Sequence, residues 1–451
     1  MGFEKINPKV LSEAHDMDRD QKRDTKRVLI FSLAYYPRFV GGAEIAIKEI
    51  TDRIGRNTYV DTGIEFDMIT LRFDTTLPRF ERIGNVNVYR IGWTRPNPTS
   101  DELLRFPLYL VKVFYSPLAA WKAFKLDRER QYDAVWCMMS YMGFAALFLN
   151  FLQRFFRRNK TETPFIVTLQ EGDSIEHVTG RSRIRMVAPL YRLVFRRAAT
   201  VQAISHYLAE FARSMGYEGK TEVVPNGVDL ELFTRRLSDT ETFELKTSLG
   251  KKYTDTFLIT TSRLVPKNGI ADLIRSLPYL PFEVKLLIAG DGPQEIELKE
   301  LALSQGLLGG QGDISKHSSE ASDRVRFLGF IPHADLYKYL RVSDIFIRPS
   351  LSEGFGNSFV EAMAADLPVI ATPVGGIPDF LEDKVTGVFC EPENPQSIAR
   401  AVEKILSNLI LRDSIIGNAH RMVAERYDWS LIAREMREKV FERVFSAQRS
   451  H

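Results

Sequence analysis

Glu353 and Glu361 stand eight residues apart at the two ends of the stretch Glu353-Gly-Phe-Gly-Asn-Ser-Phe-Val-Glu361. It follows an apolar run (DIFIRPS, 344–350) and continues into a helical pattern (EAMAAD). Gly354 and Gly356 allow bare backbone to approach a ligand. A helix starting near Asn357 would aim its N–H groups and positive dipole end at the same point. That combination suits a phosphate. The two carboxylates do not, because they repel anions; they suit hydroxyls, such as those of a ribose or hexose. Glu353 as a plain capping acid and Glu361 on a solvated helix face would need neither glycine.

A second cluster, Ser262-Arg263-Leu264-Val265-Pro266-Lys267-Asn268-Gly269, directly follows the run FLITTS. Arg263 as a fork and Lys267 as a point charge are placed to neutralise a diphosphate at a strand end. Tyr36-Pro-Arg-Phe-Val-Gly41-Gly42-Ala-Glu44 offers a further backbone anion site at Gly42, without the G-x-G-x-x-G spacing of a dinucleotide fold. Ala289-Gly290-Asp291-Gly292-Pro293 ends another strand, where Gly290 either turns the chain or lies beside phosphate.

These loops need strands to position them. Apolar runs occur at 27–34, 66–73, 86–93, 132–139, 164–170, 199–205 and 221–226, then at 255–262, 283–290, 325–330, 344–350, 367–373 and 387–392. Most are continuously apolar, the mark of strands buried on both faces of a parallel sheet, with helices between them. Two consecutive sets predict an α/β protein of two doubly wound Rossmann-like domains, 27–228 and 229–428, divided at the turn Pro225-Asn-Gly-Val-Asp229. Residues 1–26 read as a charged tail and 304–323 as a Gly/Ser-rich surface insertion. Residues 429–451 read as a long amphipathic helix packing back across both domains. Ligands of such sheets lie in the cleft beyond the C-terminal strand ends.

The chain has 451 residues, 61 Lys+Arg and 58 Asp+Glu, a net charge of +3. This excludes a disordered acidic protein and gives no overall nucleic-acid signature. Cys137 and Cys390 cannot build a disulfide framework and show no metal spacing, so a cytoplasmic location is expected. Asp16-Met17-Asp18 and Asp18-Arg19-Asp20 match a metal-holding D-x-D pattern, but sit in a charge run with no strand before them. Residues 134–153 are 20 in a row without a charge, long enough to span a membrane. A buried strand followed by the helix Met142–Phe156 accounts for them better. Residues 101–220 carry 18 Lys+Arg against 11 Asp+Glu, with basic residues among bulky apolar ones. That pattern suits an anionic membrane surface, here the inner face of the plasma membrane.

Together SRLVPKNG, AGDGP, VRFLGFIP, PSLSEGFGNSFVEAMAADLPVIATPVGGIPDFL and TGVFCEP resemble the retaining, nucleotide-sugar-dependent glycosyltransferases of the GT-B fold, family 4 or group 1, over about residues 27–427. The resemblance implies a hexosyl transfer from a UDP-, GDP- or ADP-sugar to a lipid-linked or glycan acceptor, in cell-surface glycan or glycolipid biosynthesis, with no metal and no cofactor. It implies that Arg263 and Lys267 hold the donor diphosphate and that Glu353 contacts sugar hydroxyls, with Gly354 and the backbone of Phe355, Gly356 and Asn357. Glu361 would bind the ribose, residues near Phe330 would flank the base, and Gly42 would approach the phosphates from the N-terminal domain. The family often has Thr-x-His after the fifth N-terminal strand; here Gln170 holds the histidine position. A glutamine cannot donate a proton as an imidazolium does. Glu171, Asp173 or His177 would have to compensate. Two competing readings are a nucleotide-sugar 2-epimerase, which needs only the donor, and a non-catalytic sugar-nucleotide-binding protein.

Overall fold

The computed structural model describes residues 25–449 except 39, 57–62, 99–105, 107–108, 157–161, 173–181 and 309–323. The D-x-D motifs of the tail, Asp173, His177 and most of the 304–323 insertion fall outside the described residues.

The first half supplies β1 (Lys26–Phe31), β2 (Ile64–Leu71), β3 (Phe80–Ile83), β4 (Val86–Ile91), β5 (Ala134–Met138), β6 (Phe165–Leu169), β7 (Thr200–Ala203) and β8 (Glu222–Val223). They form one sheet in the order β3-β4-β2-β1-β5-β6-β7-β8. The second half supplies β9 (Thr256–Thr261), β10 (Val284–Ala289), β11 (Val325–Gly329), β12 (Ile345–Arg348), β13 (Val369–Ala371) and β14 (Val388–Phe389), in the order β11-β10-β9-β12-β13-β14. Apart from the β3–β4 pair, every ladder is parallel. Composition explains why. All five residues of β5 (AVWCM) and of β6 (FIVTL) are buried, which requires cover on both faces. β3 (FERI) has no buried residue and joins as an antiparallel edge.

The uncharged run 134–153 divides into β5, a 3-10 turn (Ser140–Met142) and the helix Gly143–Phe156. Among the described residues no helix is long and apolar enough to cross a membrane.

The chain passes between the lobes twice, and the two passages lie side by side. Val228 N–H donates to the Tyr427 carbonyl at 2.7 Å, and Trp429 N–H to the Val228 carbonyl at 3.4 Å. Beyond them, the expected single C-terminal helix is interrupted. Trp429–Glu435 is α-helical, Met436–Phe441 is a π-helical segment, and Glu442–Arg449 is α-helical again. Its buried apolar residues pack on the first lobe. Trp429, Ile432, Met436, Phe441 and Phe445 pack into the cluster formed by Val28, Ile30, Phe66 and Trp136 of the first lobe. Phe441 meets Trp136 edge-on at 5.3 Å and Phe66 at 5.9 Å. The reason is local: the first sheet has an apolar face here that no helix of its own half fully covers.

Phe441→Ala therefore empties a fully buried site in the first lobe. It should cost about 3–5 kcal/mol, read as a lower urea midpoint for that lobe. A change below about 0.5 kcal/mol would show that the C-terminal segment is not part of this core.

Candidate active site

The loops that leave the C-terminal ends of both sheets face one another. From the second sheet come residues 262–269 after β9, 290–293 after β10, Phe330 after β11 and 349–356 after β12. From the first come 41–42 after β1, 170–172 after β6 and Asn226 after β8. Close packing holds the second set together. Leu351 N–H donates to the Lys267 carbonyl at 2.6 Å, and Asn268 Nδ2 to the Arg263 carbonyl at 2.7 Å.

Lys267 Nζ reaches across the cleft to the Gly172 carbonyl at 2.6 Å, and Ser352 Oγ donates to the same oxygen at 3.2 Å. The Arg263 side chain is exposed and makes no ion pair or hydrogen bond among the described residues. The helix Asn357–Ala364 begins after Gly356, whose φ is +92°, and no side chain caps its first N–H groups. A Cβ on Gly42 would lie 3.6 Å from Asn357 Nδ2, so the glycine pair of the first lobe borders the start of this helix. Two cations, an uncapped helix start and a glycine turn are the groups on these loops whose chemistry suits an anion.

The two glutamates are both held by partners that sequence reasoning missed. Glu353 Oε2 accepts from Arg348 Nη2 at 2.6 Å, and both side chains are nearly buried, 13% and 7% exposed. Arg348 is the last residue of β12; it also donates to Ser358 Oγ at 2.8 Å and lies 4.3 Å from the Phe359 ring centre. Burial lowers its pKa while Glu353 and Glu361 oppose the fall. Glu361, one turn into the helix, is buried and 2.9 Å from His333 Nε2. Burial pulls the His333 pKa down, but the charge and hydrogen bond of Glu361, helped by Glu49 and Asp229, outweigh it, and the net shift is upward. An arginine at the end of the otherwise apolar strand IFIR is a signal that could have been read, because a buried cation demands an acid.

Other expected site residues are placed differently. The Glu171 carboxylate is buried, accepting from Ser140 N at 2.8 Å, from Ser140 Oγ and from Gln170 N at 2.9 Å. Burial raises its pKa against those hydrogen bonds. It organises the first lobe's loop and does not face the cleft, which corrects its assignment as an acceptor or sugar contact. Gln170 pairs amide to amide with Asn226 (2.8 and 3.0 Å), and Asn226 Nδ2 also donates to Asn357 Oδ1 at 3.0 Å. The Phe355 side chain is 1% exposed and packs on Phe380 and Tyr427, so only its backbone can meet a ligand. Gly290 has φ +137°, and a Cβ there would lie 1.9 Å from the Ser262 carbonyl oxygen, a packing reason for glycine. Phe330 stands 67% exposed beyond β11. A cavity of about 360 Å³ behind the cleft is lined by His206, Pro225, Phe355, Asp379 and Tyr427, and by none of Arg263, Lys267, Glu353 or Glu361.

Residues 56–227 match the family model described as "Glycosyl transferase 4-like domain", and residues 255–408 the one described as "Glycosyl transferases group 1". The chain belongs to the group 1, GT4-type glycosyltransferases. It is 29% identical over 416 residues to an uncharacterized glycosyltransferase of Methanocaldococcus jannaschii, covering 91% of this chain and 96% of that protein. It is 28% identical over 246 residues to the GDP-mannose-dependent monoacylated alpha-(1-6)-phosphatidylinositol monomannoside mannosyltransferase of Corynebacterium glutamicum, covering 52% of this chain and 59% of that one. Among solved structures, Anabaena HepE in complex with UDP-glucose superposes with a TM-score of 0.69 at 22% identity, over 92% of this chain and 99% of HepE. Sucrose-phosphate synthase of Thermosynechococcus elongatus gives 0.73 at 20%, over 94% and 100%. At those identities the likeness is one of fold, and the fold is GT-B.

Two outcomes follow for this glycosyltransferase. Arg348→Met should destabilise by about 3–5 kcal/mol by stranding Glu353, and adding Glu353→Gln should recover a large part. Additive losses in that double-mutant cycle would show that the pair is not coupled. Because the folded His333 pKa lies above its ordinary 6.5, the parent's stability advantage over His333→Gln should be full below that value. It should shrink as pH rises through the folded pKa. Thermal unfolding across pH checks this, and an advantage that grows with pH contradicts it.

Proposed function

We propose that this glycosyltransferase moves a hexosyl group from a nucleoside-diphosphate sugar to an acceptor hydroxyl with retention of configuration and without a metal. The product would be a cell-surface glycan or glycolipid. The observation that carries the reading is that the loop after β9, which bears Arg263 and Lys267, is hydrogen-bonded through Leu351 N–H to the loop after the neighbouring β12, which leads into Glu353, the uncapped start of helix Asn357–Ala364 and Glu361. The named GDP-mannose dependence of the Corynebacterium relative and the UDP-glucose bound by HepE support an activated-sugar donor.

In this reading the diphosphate lies between Arg263, Lys267 and the N–H groups near Asn357, with Gly42 facing it from the first lobe. Glu361, fixed by His333, accepts from the ribose hydroxyls, and Phe330 flanks the base. Glu353, with one oxygen on Arg348, turns the other toward the hexose. As the C1–O bond breaks toward an oxocarbenium-like state, negative charge collects on the departing diphosphate. The two cations and the helix N–H groups stabilise that charge more in the transition state than in the ground state, which lowers the barrier. Positive charge comes from side chains, so a divalent ion has no task to perform. The acceptor is lipid-linked or a glycan; the Corynebacterium relative is named for a phosphatidylinositol mannoside.

A thermal-shift panel of UDP-, GDP- and ADP-sugars finds the donor, since a tight ligand raises stability by mass action. With that donor, Arg263→Ala and Lys267→Ala should each lose roughly one to two decades in kcat/KM, because each charge-assisted bond is worth about 1.5–3 kcal/mol. EDTA should leave turnover unchanged, and NMR of the product should show the donor's anomeric configuration. Loss of activity on chelation, or an inverted product, would overturn those parts of the reading.

A further inference from the structure

The first lobe carries an apolar surface that the sugar-transfer reading leaves unused. The helix Gly143–Phe156 buries Ala145, Ala146, Leu149 and Gln153 and leaves Phe148, Phe151, Phe155 and Phe156 exposed at 42–68%. Ring contacts extend this outward face into a continuous strip. Phe151 stacks on Phe155 at 6.1 Å, Phe155 meets Phe156 at 4.9 Å, and Phe156 meets Phe124, which stacks with half-exposed Trp121 at 6.1 Å. Adjoining this face, a groove of about 410 Å³ runs against helix Ser182–Arg197, lined by Phe144, Leu147, Phe148, Phe151, Leu190 and Leu193. An isolated exposed phenylalanine is ordinary. A contiguous strip of aromatics with a groove beside it marks a docking surface.

Charge identifies the occupant. Neither helix contains an acidic residue. Arg154 and Arg197 line the groove, Arg192 and Arg196 are exposed beside it, and none of the four has an ion pair among the described residues. Among the described residues the acids nearby are few: Glu162 in the groove lining, Glu129 at the end of the neighbouring helix Tyr115–Arg130, and Asp127, which is buried and bonded to Gln153 at 3.0 Å. A second copy of this chain docking the same face by two-fold symmetry would bring these arginines against one another, which like charge disfavours. A surface that offers hydrocarbon below and anions above satisfies both components: phenylalanines enter the acyl boundary while the arginines remain at phosphate level.

We propose that the strip Trp121–Phe156–Phe155–Phe151, with the groove between helices Gly143–Phe156 and Ser182–Arg197, is a docking face for an anionic phospholipid bilayer. The chain lies on the bilayer and does not span it. The assignment uses none of the donor-site residues: Arg263, Lys267, Glu353 and Glu361 belong to neither the strip nor the groove lining.

Flotation of the full-length protein with phosphatidylcholine vesicles, with and without phosphatidylglycerol, tests it. Binding is expected only with phosphatidylglycerol and should weaken as salt is raised. Phe151→Ser with Phe155→Ser, and separately Arg154→Gln with Arg197→Gln, should each reduce binding by roughly tenfold or more. Both pairs are exposed, so unfolding temperature and donor binding should match the parent, and a failed donor reading would leave the vesicle result standing. Equal binding to both vesicle types, variants that bind like the parent, or no vesicle binding with self-association relieved by the Phe variant would each overturn the proposal.

Discussion

The geometry of the cleft rests on a steric constraint: the two lobes meet backbone to backbone, at a point where no side chain fits. A Cβ on Gly354 would lie 2.2 Å from the Glu171 carbonyl oxygen, and one on Gly376 would lie 2.1 Å from the Gly354 carbonyl oxygen. Gly375, at φ +57°, would place a Cβ 1.9 Å from the Glu353 carbonyl oxygen. Loops from β6, β12 and β13 are thus stacked at main-chain distance, and Gly376 N–H donates to the Glu353 carbonyl at 3.0 Å. Glycine here provides access more than flexibility. Only because these three chains touch can Lys267 span to Gly172 and the start of helix Asn357–Ala364 come beside Gly42.

That closeness creates an electrostatic problem, which buried pairs solve. Glu353 and Glu361 are both largely removed from solvent and both act on Arg348, and as like charges they repel each other and any phosphate. Arg348 engages the first and His333 the second, so each acid is bound to a cation or donor on the protein side. Arg348 bears on both acids electrostatically. Removing a partner from such a pair costs more than the pair itself contributes, because the remaining charge stays desolvated. The cations thus fix the direction of the carboxylates, and Arg263 is left uncommitted at the mouth.

Most of the fold is legible in the sequence because parallel strands covered on both faces must be apolar throughout, as in AVWCM, FIVTL and VKLLIA. β3 is not legible: FERI lies at an edge, half-solvated, and nothing in its composition separates it from a loop. The cation cluster and the Glu pair are legible because glycines and charges occupy fixed offsets after strands. What escapes is pairing over long sequence distance. Asn226 meets Gln170 and Asn357, 56 and 131 residues away, and no local pattern announces it. The reading of Glu171 fails for the same reason: its partner Ser140 is 31 residues earlier, and a carboxylate beside the cleft turns inward to it.

Asn226 shows how hinge and site are joined. It lies in the first of the two side-by-side passages between the lobes, two residues before Val228, and is buried. Its single amide is shared between Gln170 of the first lobe and Asn357 at the helix start of the second. Any relative rotation of the lobes must break one of these bonds or carry the helix start with it. Each neutral hydrogen bond contributes only about 0.5–1.5 kcal/mol net, and Lys267 to Gly172 somewhat more. The polar ties across the cleft are therefore strong enough to define one arrangement, yet weak enough for charges of a bound ligand to outweigh. The Gln170 amide donates and accepts at once and pairs with Asn226 at any pH, whereas a histidine would lose its acceptor on protonation.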